Sequence, residues 1–156
     1  MNRLFATAGL MLGLCLSNAA LAREVTITTT LNAYRGDGAY LAVYLTDADG
    51  NYARTLWVAG GKSKYYKHLL GWARGSGMKN TEYDGMTGAS VSSGGNLTVT
   101  VDIDDTLIDA GYLIRVDSAV EDQRENRVDA EVPLTSQGVN TPVTGRGYVK
   151  ALSYSL

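Results

Sequence analysis

"EVTITTTL", residues 24–31, sets Val25, Ile27, Thr29 and Leu31 in alternation with Glu24, Thr26, Thr28 and Thr30. Successive side chains of a β-strand point to opposite faces, so this stretch turns an apolar row to one side and a hydroxyl row to the other. "NLTVTVDI", residues 96–103, repeats the pattern with Leu97, Val99, Val101 and Ile103 in the apolar row. Both stretches read as half-buried strands of a sheet with one wet face.

The neighbouring segments extend this reading. "YLAVYLTD" (residues 40–47) and "GYLIRVDSAVE" (residues 111–121) are strand-like with a denser apolar content, and "YARTLWVA" (residues 52–59) follows "DADGN", which predicts a hairpin with residues 40–47. "GYVKALSYSL" (residues 147–156) is read as a closing strand. One segment departs from period two. "KSKYYKHLLGWARGS" (residues 62–76) places Tyr65, Tyr66, Leu69, Leu70 and Trp72 at roughly helical spacing, and Gly75-Ser76-Gly77 would end such a helix. Trp57 and Trp72 bracket it and are expected to anchor it to the sheet. The expected architecture is all-β: a single antiparallel immunoglobulin-like β-sandwich with one short helix insertion, spanning residues 23–156.

Residues 1–22 have the layout of a secretory signal peptide, with Arg3, an apolar run over residues 4–16 and the small-residue exit Ala20-Leu21-Ala22. The expected location is therefore the periplasm, with cleavage after Ala22. Leu14 occupies the place before Cys15 where a lipoprotein site needs a small residue, so the thiol is expected to leave with the signal. No stretch after Arg23 is apolar for the roughly 20 residues that a spanning helix needs, and stable membrane insertion is not expected. The remaining chain of about 134 residues is long enough for one domain with its own core. Net charge is −2 for the whole chain, with acidic and basic residues interspersed, which makes nucleic acid and anionic membrane surfaces poor partners.

Most catalytic and metal-binding classes lack their residues. "DADGN" has the oxygen spacing that opens a calcium loop, but Val58 stands where the distal glutamate belongs, and a turn is the better reading. Asp102, Asp104 and Asp105 cluster without His or Cys and read as a solvated turn. His68 is the single histidine, so bis-histidine haem and multi-histidine zinc or copper sites cannot form within one chain. A serine hydrolase would need His68, and no Gly-X-Ser-X-Gly elbow accompanies it. His68 is read as a surface or partly packed residue, and the ten tyrosines as packing residues with their hydroxyls at the rim.

"DGMTGAS", residues 84–90, remains. Asp84, Thr87, Gly88, Ala89 and Ser90 resemble, position by position, the attachment motif of substrates of the FAD:protein FMN transferase: Asp, two variable residues, Ser or Thr, Gly, Ala, then Thr or Ser. The resemblance implies that Ser90 becomes a phosphoester of FMN, with Asp84 assisting the magnesium ion of the transferase. Such an acceptor needs an exposed segment whose neighbours are small enough to enter another enzyme's pocket, as Gly88 and Ala89 are. Ser92 and Ser93 are read as spare hydroxyls. The same residues suit a loop entering the strand at residues 96–103, and both readings stand at this point.

"GNYARTLWVAGGKSKYYKHLLGW", "DGMTGAS" and "DAGYLIRVDSAVEDQREN" resemble successive blocks of a bacterial family of exported proteins, domain of unknown function 2271. The second half is also similar to the immunoglobulin-like domain of flagellar hook-capping proteins. The resemblance implies work beside membrane PepSY-type proteins and the flavin transferase, in extracytoplasmic flavin electron transfer or iron reduction. By itself it makes no enzyme of the chain. Two functions are carried forward: a periplasmic electron carrier with covalent FMN on Ser90, and a cofactor-free accessory module that docks a membrane partner.

Overall fold

The computed structural model describes residues 21–156, so most of the expected export signal, Cys15 included, lies outside them. The eight strands are β1 (Ala22–Leu31), β2 (Tyr40–Thr46), β3 (Tyr52–Ala59), β4 (Thr87–Gly88), β5 (Asn96–Asp104), β6 (Leu113–Ala119), β7 (Glu125–Pro133) and β8 (Val149–Ser155). They form a three-stranded sheet ordered β5-β1-β8 and a five-stranded sheet ordered β4-β3-β2-β6-β7. The fold is an all-β sandwich.

The period-two stretches pair as their patterns require. β1 and β5 run antiparallel from Ala22 opposite Asp104 to Thr30 opposite Asn96. Their apolar rows meet the second sheet in a core that includes Val25, Ile27, Leu31, Val99 and Ile103 with Leu41, Val43, Leu45, Ile114 and Val116. On the outer face of this sheet the threonines meet in register, with the hydroxyls of Thr26 and Thr100 2.9 Å apart.

The five-stranded sheet is covered on both faces, which is why β2 is buried from Leu41 to Thr46 without alternation. Its outer cover is the segment read as one helix. The structure divides it into a 3-10 helix, Ser63–His68, and a helix α1, Leu70–Ser76, broken at Leu69 with φ −87° and ψ 77°. Tyr66, Leu69 and Trp72 are buried and Leu70 faces outward. Residues three apart eclipse in a 3-10 helix, so the break lets these three reach one apolar patch of Ala42, Tyr44 and Val58. Burying Leu69 there contributes roughly 2 kcal/mol. Gly77 ends α1 in the left-handed conformation, φ 62°, as the glycines predict.

Three further expectations need correction. The sandwich is not wholly antiparallel, because β4 pairs parallel to β3, Val58 with Thr87 and Ala59 with Gly88. Trp57 does not anchor the helix. The register of β2 on β3 shifts between Val43 and Tyr44, opposing Val43 to Trp57 and Tyr44 to Thr55; Leu56 is bulged, and Trp57 packs with the inter-sheet core. Of the two tryptophans only Trp72 anchors the helix, donating from Nε1 to Thr55 Oγ1 at 2.8 Å. Finally, β7 was not anticipated, and residues 120–121 lie beyond the end of β6.

Candidate functional site: the edge segment around Ser90

Residues 84–90 follow the outer edge of the five-stranded sheet. Asp84 is exposed in the turn after a 3-10 turn, Asn80–Glu82, and its N–H donates to Asn80 O at 2.8 Å. The segment then fastens to β3: Val58 N–H donates to Met86 O at 2.9 Å and Gly60 N–H to Gly88 O at 2.8 Å. Val91 fastens the far end by exchanging both backbone hydrogen bonds with Ala39, at 2.7 and 2.9 Å. Between the fastenings, Ala89 and Ser90 are exposed, as is Thr87. The Ser90 hydroxyl makes no hydrogen bond among the described residues.

Two glycines permit this path. A Cβ on Gly88 would stand 2.9 Å from Cζ2 of Trp57, and a Cβ on Gly38 would stand 2.6 Å from Ser90 Oγ. The chain could not lie so flat with larger residues there. The expected spare hydroxyls differ from each other. Ser92 is exposed, but Ser93 accepts from Tyr34 N–H and donates to Tyr34 O, each at 2.7 Å, and so pins the end of the segment. Tyr34 donates in turn to Asp37 O at 2.9 Å, and burial pushes its phenol pKa up.

The register gives Ser90 a neighbour. The Ala39–Val91 bridge brings Ser90 over Gly38, whose missing Cβ makes room for the Ser90 side chain. The Tyr40 ring lines a cleft of about 240 Å³ with Tyr65, His68, Gln123 and the three acids Glu121, Asp122 and Glu125. Tyr40 and Tyr65 meet edge to face with centroids 5.9 Å apart. His68 Nδ1 pairs with Glu125 Oε1, tying the 3-10 helix to β7, and Gln123 Nε2 donates to Arg35 O. Thr87, Gly88, Ala89 and Ser90 are thus brought onto one accessible sheet edge. Asp84 stays at the opposite end of its turn.

A family model described as "Predicted periplasmic protein (DUF2271)" matches residues 22–151. The chain belongs to that family. It is a periplasmic protein, as the start of the sequence predicts. No curated protein and no solved structure matches it.

The acidic clusters of this DUF2271 protein are occupied by their own turns. Asp47 Oδ1 accepts from the N–H groups of Asp49 and Asn51 at 3.0 and 2.9 Å, and hydrogen bonds led by the Asn51 side chain hold its carboxyl below the usual range. Asp104 caps Thr106 through both N–H and hydroxyl, which lowers its pKa likewise, and Asp105 pairs with Arg23.

Two buried aspartates were missed. Asp117 accepts from Tyr44 Oη at 3.0 Å, Trp72 N–H at 2.8 Å and Val128 N–H at 2.8 Å, which fixes the start of α1 to the sheet. Asp129 accepts from the Ser118 hydroxyl and from the N–H groups of Arg146, Gly147 and Val149, which fixes the approach to β8. An Asp-Ser pair inside the apolar run of residues 111–121 was the one available signal of the first.

Proposed function

We propose that this periplasmic protein is an accessory redox carrier that holds FMN as a phosphoester on Ser90 and works beside a membrane PepSY-type reductase. The observation that carries the reading is the state of Ser90: exposed, free of hydrogen bonds among the described residues, and held between backbone hydrogen bonds at Gly88 and Val91. These residues fit the group. Ala89 and Gly88 leave room for a transferase to close over the hydroxyl, and the bonds from Val58, Gly60 and Ala39 keep the segment in one path. In the transfer, Ser90 Oγ bonds to the flavin-side phosphorus of FAD, the pyrophosphate bond breaks, AMP leaves, and the hydroxyl proton passes to the transferase. The flavin, once attached, supplies the electron chemistry.

Co-expression with an FAD:protein FMN transferase tests the reading. The expected result is a yellow band, fluorescent under ultraviolet light, that survives denaturing electrophoresis and is lost in Ser90→Ala. Label that moves to Ser92 keeps the carrier and corrects its site. Colourless protein beside a control substrate that is labelled would leave the cofactor-free accessory module as the function.

A further inference from the structure

On the other side of the helix segment from Tyr40, a second cleft of about 310 Å³ opens between α1 and the outer ends of β2, β6 and β7. Arg74, Arg115 and Arg127 line it, and no carboxylate does. The three come from α1, β6 and β7, so only the fold brings them together. Arg115 is held in place: its Nε donates to Glu131 at 2.9 Å and a terminal nitrogen to Gly50 O at 3.3 Å. Arg74 and Arg127 make neither an ion pair nor a hydrogen bond among the described residues, and both are exposed. The nearby acids sit behind the wall, Glu82 bonded to the Tyr52 hydroxyl and Asp117 to Tyr44 and two N–H groups.

A second observation comes from the wall. Thr46 lines the same cleft and is 1 % exposed, yet its Oγ1 is buried without a partner among the described residues. A buried hydroxyl left unpaired costs on the order of 1–3 kcal/mol, and a ligand oxygen would supply what it lacks. Gly71 and Gly75 keep the α1 side of the cleft low. A Cβ on Gly71 would stand 2.6 Å from the Tyr44 hydroxyl, and one on Gly75 2.4 Å from the Tyr52 side chain.

We infer that this cleft binds a compact, multiply charged oxoanion, with the guanidinium groups of Arg74 and Arg127 closing on its oxygens, Arg115 fixed behind them and Thr46 Oγ1 donating from the wall. Guanidinium forks suit both carboxylate and phosphate oxygens, so the shared chemistry is the oxoanion. The site is independent of Ser90. In a chain of net charge −2, it is a local concentration of positive charge with room for more than one anionic group.

Titration of the isotope-labelled mature protein with inorganic phosphate and with citrate, followed by amide NMR at low ionic strength against chloride of matched strength, tests the site. The expected result is saturable shifts at Thr46, Asn51, Gly71 and Gly75 with at least one probe. Saturation by citrate alone assigns a polycarboxylate, and by phosphate alone a phosphoryl group. The Arg74→Gln and Arg127→Gln double variant should weaken binding by roughly tenfold or more. Thr46→Val should weaken it severalfold while leaving the urea midpoint unchanged or higher, because its hydroxyl bonds to nothing in the unliganded fold. Shifts that follow chloride equally, or that persist in the double variant, would overturn the site.

Discussion

Tyr44 sits on the outer face of β2 with its hydroxyl against the buried Asp117 carboxylate, and Tyr52 donates its own hydroxyl to Glu82 Oε2 at 2.7 Å. Burial first, and then the neighbouring carboxylate, raises both phenols: Tyr44 far above the ordinary value of 10.0 and Tyr52 to about 12. A phenol whose folded pKa is raised contributes stability that is whole below the unfolded value. That contribution falls as pH rises, because the unfolded chain releases the proton first. The urea midpoint should therefore decline from about pH 10 upward, through about 12 for Tyr52 and beyond it for Tyr44. Tyr44→Phe and Tyr52→Phe should each flatten the slope, whereas identical slopes in both variants would contradict the assignment. Single residues were unevenly legible. Residues 84–90 could be read because the whole motif is contiguous, but the task of Asp117 could not, since its donors come from residues 44, 72 and 128. Ser93 was likewise invisible as a clamp, because Tyr34 is far from it in sequence.

The 3-10 helix and α1 cover one face of the larger sheet, and Trp72 holds that cover down. Its ring is fully buried against Tyr66 and Tyr83, its Nε1 donates to Thr55, and its N–H donates to Asp117. Trp72→Ala should cost about 3–5 kcal/mol, read as a shift of the urea midpoint with little change in slope. It should also open the Tyr40–Tyr65 cleft to proteolysis within residues 63–76 before the strands are attacked. A loss below about 1 kcal/mol would mean the cover is held from elsewhere. The strands of the sandwich were legible wherever one face is wet and the other buried, as in β1 and β5. β7 was not, for a physical reason: Val128 takes φ 49°, the register on β6 shifts between Val116 and Ser118, and Asp129 points inward to donors from residues 118 and 146–149. The break at Leu69 was hidden similarly, because Tyr66, Leu69 and Trp72 suit a 3-10 turn and an α-helix almost equally in sequence.

For the molecule as a whole, location and fold act together. β1 begins at Ala22, where Ala22 opposes Asp104, and Leu21 O accepts from Asp105 N–H at 2.9 Å. Cleavage after Ala22 removes only those outermost links, and Arg23 opposite Ile103 becomes the first rung, with Arg23 paired to Asp105 at 2.9 Å. N-terminal sequencing of the periplasmic protein should begin at Arg23, and a form that keeps Cys15 with attached lipid would contradict this. The sandwich leaves the Ser90 segment on the edge of the larger sheet and the arginines in a cleft beside α1. The proposed site of FMN attachment is Ser90. Its most direct measurement is the intact mass of the protein taken from the periplasm of cells that express an active transferase, compared with Ser90→Ala. The expected result is a gain equal to one FMN less one water in the wild type, located on the peptide that contains Ser90, and no gain in the variant. An unmodified mass in the wild type, while a control substrate in the same cells is fully labelled, would contradict it.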